Sequence, residues 1–166
     1  MRGDTKEKEK TVSQSTESNL SKDSATVGNL LRGKGNSVIS IGPDDTIASA
    51  VTLLRDHRIG ALVVVDDQGA LQGILSERDI VRKLADTPGQ TLPQTVAENM
   101  THDVITCAPE ETLVTVLRRM TKGRFRHMPV VEDERLCGMV TIGDVVNFRL
   151  TELEHEALQL KQMIVG

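Results

Sequence analysis

Two short runs of the chain set a hydroxyl three positions ahead of a carboxylate: Ser76-Glu77-Arg78-Asp79 and Thr141-Ile142-Gly143-Asp144. Each follows a glycine and two apolar residues, Gly73-Ile74-Leu75 and Gly138-Met139-Val140, so a strand is expected to feed a helix at the hydroxyl. There the hydroxyl caps the helix, and the acid lies on the same side of the first turn. One use of this arrangement is local, a capping box. The other is recognition: a carboxylate suits the paired hydroxyls of a ribose, and the free N–H groups of a helix start suit a phosphate. That the motif occurs twice favours recognition. Arg126-His127-Met128-Pro129 adds two groups able to neutralise phosphates, Arg126 by a bidentate fork; the alternatives are a solvated charge and a half-buried ring. Pro129 has no N–H to give, so it is expected to leave neighbouring backbone groups free to bond a ligand. Its first-copy counterpart is Val63, and Arg78 is the residue there able to replace the missing charge; the alternative, which the usual exposure of arginine favours, is a solvated first-turn side chain.

These residues recur because the chain repeats itself. Val38-Ile39-Ser40-Ile41-Gly42-Pro43-Asp44-Asp45-Thr46-Ile47 aligns with Val104-Ile105-Thr106-Cys107-Ala108-Pro109-Glu110-Glu111-Thr112-Leu113 at an offset of 66 (104 − 38). The hydroxyl–acid motifs align at 65 (138 − 73), so one residue is lost between, in a hairpin turn at 66–69 and 132–135. Each copy reads as βαββα. A short strand at 38–41, matched at 104–107, leads to a helix with Ile47, Ala50, Val51 and Leu54 on its core face, or Leu113, Val116, Leu117 and Met120 in the second copy. Buried strands follow at 61–65 and 128–131. One unit of about 60 residues buries too little to be stable with ease, so two are expected to pack sheet against sheet around a pseudo-two-fold. The fold class is α+β. The expected division is a disordered tail over 1–25, units at 26–90 and 91–148, and a terminal helix at 149–166.

Composition narrows the function. Only 1% of the 166 residues are aromatic and the net charge is −4, which argues against nucleic acid, whose binders need stacking rings and a basic face. Cys107 and Cys137 stand apart without metal-ligand spacing, and His57, His102 and His155 have no such spacing either. No metal is expected. No apolar run approaches the length of a bilayer span, so no membrane is expected and cytoplasmic residence follows. Arg32-Gly33-Lys34-Gly35 lacks the ending of a phosphate-binding loop and is read as a flexible lead into the first strand.

The repeat, with Arg58-Ile59-Gly60-Ala61-Leu62-Val63-Val64 and Arg124-Phe125-Arg126-His127-Met128-Pro129-Val130-Val131 ahead of the two motifs, resembles a tandem pair of cystathionine-β-synthase (CBS) domains, the Bateman module, over about 26–148. The resemblance implies clefts for AMP, ADP, ATP, NAD(H) or S-adenosylmethionine. It implies Asp79 and Asp144 as ribose acids, Ser76 and Thr141 as hydroxyls on ribose or phosphate, and Ile39, Ser40, Ile105 and Thr106 as walls for adenine. Met128 lies within the same implied binding run. It also implies a homodimer. Leu150, Leu153, Ala157, Leu160 and Ile164 form a stripe that either clasps a second subunit or folds back. The expectation is a non-catalytic sensor that binds an adenine nucleotide and signals to a partner protein. The competing readings are a dimerisation module with empty clefts and a nucleotide-using enzyme, for which no nucleophile–base pair is present.

Overall fold

The structure, a computed structural model, describes residues 25–166, so the expected tail lies outside the described residues except for Ala25. The elements run α1 Val27–Lys34, β1 Ser40–Ile41, α2 Ile47–His57, β2 Ala61–Val65, β3 Leu71–Ser76, α3 Glu77–Asp86, α4 Val96–Asn99, α5 Leu113–Gly123, β4 His127–Glu132, β5 Arg135–Thr141 and α6 Ile142–Val165. Thr46 and Thr112 cap α2 and α5, each accepting from the amide three residues on. Both helices end at an arginine in left-handed conformation, Arg58 (φ 53°) and Arg124 (φ 56°), so the duplication extends to backbone conformation.

The first sheet runs β1-β2-β3, with β1 parallel and β3 antiparallel to β2. The second has only β4 and β5 as strands; the expected strand at 104–107 is reduced to a single bridge between Cys107 and Val130. The cause is Pro129. In the first sheet Ser40 pairs with Val63, a pairing that uses Val63's amide, and the counterpart of Val63 has none. The one-residue length difference falls between the paired residues Val64 and Gly73, and between Val130 and Gly138, within the hairpins as expected.

Leu62 and Val64 point into one core with Ile47, Ala50, Leu54 and Ile80; Met128 and Val130 point into the other with Val116, Met120 and Val140. Ala61, Val63 and Pro129 alternate to the opposite faces and are buried too, so each sheet is covered on both sides. Val51, expected in the core, is 39% exposed and borders an apolar groove with Val81 and Leu84.

The run 32–35 is no loop: Arg32, Gly33 and Lys34 end α1, which Thr26 and Asn29 open with a capping box. This helix completes the opposite half. Val27, Leu30 and Leu31 are buried in the second core, while Val96 of α4 is buried in the first. Backbone bonds repeat the exchange: Val27 N to Glu111 O (2.9 Å), Gly28 N to Pro109 O (2.8 Å) and Leu113 N to Ala25 O (2.9 Å), against Val96 N to Asp45 O (2.8 Å), Ala97 N to Pro43 O (2.9 Å) and Ile47 N to Gln94 O (2.9 Å). The last helix of the second unit and the C-terminal stretch are one helix, α6, of 24 residues. Its stripe does not fold back: Leu150, Leu153, Leu160 and Ile164 are exposed.

Candidate functional site

At the start of α3 the Ser76 hydroxyl (2.6 Å) and amide (3.0 Å) both donate to Oδ2 of Asp79, and the Asp79 amide donates back to Ser76 Oγ (3.2 Å). The capping box is therefore complete, and it uses one carboxylate oxygen. Among the described residues nothing bonds Oδ1, so capping and recognition are compatible. The acid opens on a cavity of about 700 Å³ between the two copies. Its floor is the start of α3, with Arg78 and Arg82 beside Asp79; one wall is Thr101, Asp103, Val104 and Ile105, and the other runs from Gly123 to His127. Four arginines, Arg78, Arg82, Arg124 and Arg126, thus line the cavity with three acidic residues, Glu77, Asp79 and Asp103. Arg78 Nη1 lies 3.5 Å from the Arg124 carbonyl, which spans the two copies.

His127 fills the space that Gly60 leaves open. A Cβ on Gly60 would lie 3.3 Å from His127 Cε1 and Nε2 and 3.4 Å from Glu77 Oε1. Burial holds the His127 imidazole below its ordinary pKa; Lys34 and Arg126 push the same way, and Glu77 and Asp144 oppose. The shift favours the neutral ring.

Pro129 interrupts the backbone pairing beside it. Cys107 N donates to Pro129 O (3.0 Å) and Val131 N to Cys107 O (2.9 Å), but no backbone amide among the described residues donates to the carbonyl of Ile105, two residues earlier. Ile105 is 46% exposed and borders the cavity, so the wall carries an open acceptor beside an apolar side chain.

Asp144 stands differently. Its carboxylate accepts from the Thr141 amide (3.0 Å), and its own amide donates to Thr141 Oγ1 (3.0 Å), but Lys34 Nζ lies 2.5 Å from the same Oδ2. The ammonium also donates to the Met139 carbonyl at 2.8 Å. Lys34 and Asp144 side chains are 33% and 24% exposed. They border a second cavity of about 680 Å³ between α1 and α6, with Leu30, Asn147, Glu152 and His155.

Of the residues singled out from the sequence, Ser76, Arg78, Asp79, Ile105, Arg126 and His127 meet in the first cavity. Arg126 and His127 thus face the acid of the other copy, because strands from both copies enclose the space. Thr141 and Asp144 lie at the other helix start. Met128 is fully buried in the second core and Pro129 is buried behind the cavity wall, so neither side chain faces it. Thr106 uses its carbonyl to hold Arg119 Nη2 (2.7 Å), Ile39 packs on the first core, and Ser40 is exposed in β1. Sequence reasoning passed over Glu77, Arg82, Asp103, Arg124 and Phe125, all on the first cavity, and Lys34. Arg82 was legible, one turn beyond Arg78 on the same helix face. Among the described residues no group of three or more His, Cys, Asp or Glu is placed to hold a metal, and no helix is long and apolar enough to cross a membrane.

The CBS domain family profile matches residues 35–86 and 95–151. The chain is 36% identical over 152 residues to a mitochondrial CBS-domain-containing protein, CBSX3, of Arabidopsis thaliana, covering 87% of this chain and 74% of that one. A crystal structure of a CBS-domain-containing protein from Agrobacterium tumefaciens superposes with a TM-score of 0.74 at 43% identity, covering 76% of this chain and 94% of that one. The CBS domain pair of protein MJ0100, solved in complex with 5'-methylthioadenosine and S-adenosyl-L-methionine, gives 0.68 at 30% identity, covering 77% and 98%.

Proposed function

The chain belongs to the CBS-domain family, with two copies in tandem, and from that premise we propose that it is a non-catalytic sensor whose first cavity binds an adenine nucleotide. The observation that carries this reading is Asp79, an acid with one oxygen spent on its cap and the other unbonded among the described residues, on the lining of a cavity rich in arginines. Asp79 Oδ1 takes a ribose hydroxyl. The open Ile105 carbonyl accepts from the adenine amino group, with the Ile105 and Phe125 side chains as apolar walls. Arg124 and Arg126, on the opposite wall, take the phosphates, with Arg78 and Arg82 at the floor. A phosphate-bearing ligand is favoured because four guanidiniums outweigh three carboxylates, one of which the ribose occupies. The ligand of the MJ0100 domain pair shares the adenosine part.

The ligand touches α3 of one copy and the α5–β4 corner of the other, so its binding energy differs between arrangements of the two halves; such a difference is what a signal to a partner protein requires. The chain acts as a homodimer, with the groove of Val51, Val81 and Leu84, its counterpart at Leu117, Val146 and Leu150, and the exposed stripe of α6 as apolar surface to cover. Two free thiols agree with cytoplasmic residence.

Calorimetry with ATP, ADP, AMP, NADH and S-adenosylmethionine tests the reading. Asp79→Ala is expected to weaken the best ligand about 10- to 100-fold, roughly 1.5–3 kcal/mol. Unchanged affinity rejects the assignment. The complete capping boxes favour a second reading, a dimerisation module with empty clefts. A thermal-shift series separates the two, because ligand at 100 times its dissociation constant adds about 2.7 kcal/mol of stability.

A further inference from the structure

The two helix starts differ in what meets the acid, and the difference follows from the lengths of the exchanged helices. After α4 ends at Asn99 the chain runs along β3: Thr101 N donates to Ile74 O (2.9 Å) and Ile74 N to Thr101 O (3.0 Å). In the other half α1 stays helical to Lys34, and the carbonyl of Met139, the counterpart of Ile74, is met by the Lys34 ammonium at 2.8 Å. By the pairing of Thr26 with Thr95 (offset 69) the residue matching Lys34 is Asp103, an acid. At three other matched positions the surroundings of Asp144 lack an arginine that stands around Asp79: Arg78 is matched by Gly143, Arg82 by Asn147 and Arg126 by Gly60, while Arg124 keeps its counterpart in Arg58. Lys34 is thus a cation delivered to Asp144 by another element, against the trend around it.

A lysine on a ribose acid has two possible effects, and magnitude decides between them. As a plug it is weak, because an ion pair exposed by a quarter to a third contributes less than about tenfold. As a receiver of phosphate it is strong, because a charge-assisted bond to an anion contributes about 10- to 100-fold. A ligand whose ribose hydroxyls take Asp144 would displace the ammonium from that carboxylate and leave it for an anionic group of the ligand. We propose that Lys34 is the specificity-determining residue of a second adenosine site at Asp144. It parks on the acid when the site is empty and moves to the ligand's phosphate when it fills, so this site takes AMP-like anions and discriminates against adenosine and cationic sulfonium ligands. The inference rests on the ribose role assigned above to the hydroxyl–acid motif.

The test uses the full chain carrying Asp79→Ala, which silences the first cavity, titrated with AMP and with adenosine. AMP is expected to bind at least about tenfold tighter than adenosine. Adding Lys34→Met should abolish that preference while leaving adenosine binding equal or up to about fivefold stronger, because the resting ion pair is gone. Lys34→Arg should keep the preference, which separates charge from loss of folding. An unchanged AMP-to-adenosine ratio in Lys34→Met overturns the role of Lys34, and so does a failure of Asp79→Ala to bind AMP at all. Adding Asp144→Ala to the Asp79→Ala chain distinguishes the underlying reading: if AMP binding survives that change, the ribose assignment fails, whatever Lys34 does.

Discussion

Around Asp79 the chain builds an open space with charge on three sides; around Asp144 it builds the same helix start with the same capping amide bonds and covers the acid with a lysine from 110 positions away. The backbone plan of the two halves is shared down to the left-handed arginines that end α2 and α5. What differs is side chains, one missing amide, one residue in a hairpin and the lengths of the exchanged helices. A repeat can therefore keep its fold by conserving caps, core faces and turns, while its two clefts diverge through residues that carry no packing load. Gly60 shows the constraint: the first half has no cation there because the second half's histidine occupies the space.

The largest expected effect breaks the symmetry of the glycines that open each motif strand. A Cβ on Gly73 would lie 2.8 Å from the Thr101 carbonyl and 2.5 Å from Met100 Sδ, whereas on Gly138 it meets only the Leu31 side chain at 2.8 Å and beyond. Backbone cannot yield as a leucine can, so Gly73→Ala should cost about 3 kcal/mol and Gly138→Ala about 1 kcal/mol, read as denaturant midpoints. Next, Arg126→Gly, which copies the first half into the second, should weaken ATP about tenfold and leave adenosine unchanged in calorimetry. Equal losses for both ligands would remove Arg126 from the phosphates.

Pro129→Val sharpens the comparison from the other side. It restores the amide, extends the second sheet to match the first, and closes the Ile105 carbonyl. A protected amide at the substituted position in hydrogen exchange, stability raised by about 0.5–1 kcal/mol and adenine affinity lowered a few-fold are expected together. The smallest effect is in pH. Burial lowers the His127 pKa in the folded chain, so the unfolded chain binds the proton more readily, and stability falls as pH drops from about 6.5 through the lowered value. The melting temperature of the wild type should drop further between pH 7.5 and 5.5 than that of His127→Gln.

The repeat, the caps and most core positions were legible because each is written in local spacing: Ser76 and Asp79 form the expected box, and Ile47, Ala50 and Leu54 are buried. Val51 was misplaced because a helix stripe is wider than the strip a small sheet can cover. The strand at 104–107 was over-read, since β-branched composition does not reveal that the neighbouring strand lacks a donor at Pro129. Lys34 was out of reach of any local rule. One trace did exist: Thr26-Val27 in α1 repeats as Thr95-Val96 in α4, each pair opening a helix with a capping box.

That pair of crossed helices means that the polypeptide cannot be cut into its two repeats. A fragment starting after the first repeat would lack Val27, Leu30 and Leu31, the apolar lid on its own interior, and the piece left behind would lose Val96. Trimming the amino end is expected to injure the half most distant in sequence, and the two repeats are expected to melt as one body, because each holds a part that the other needs.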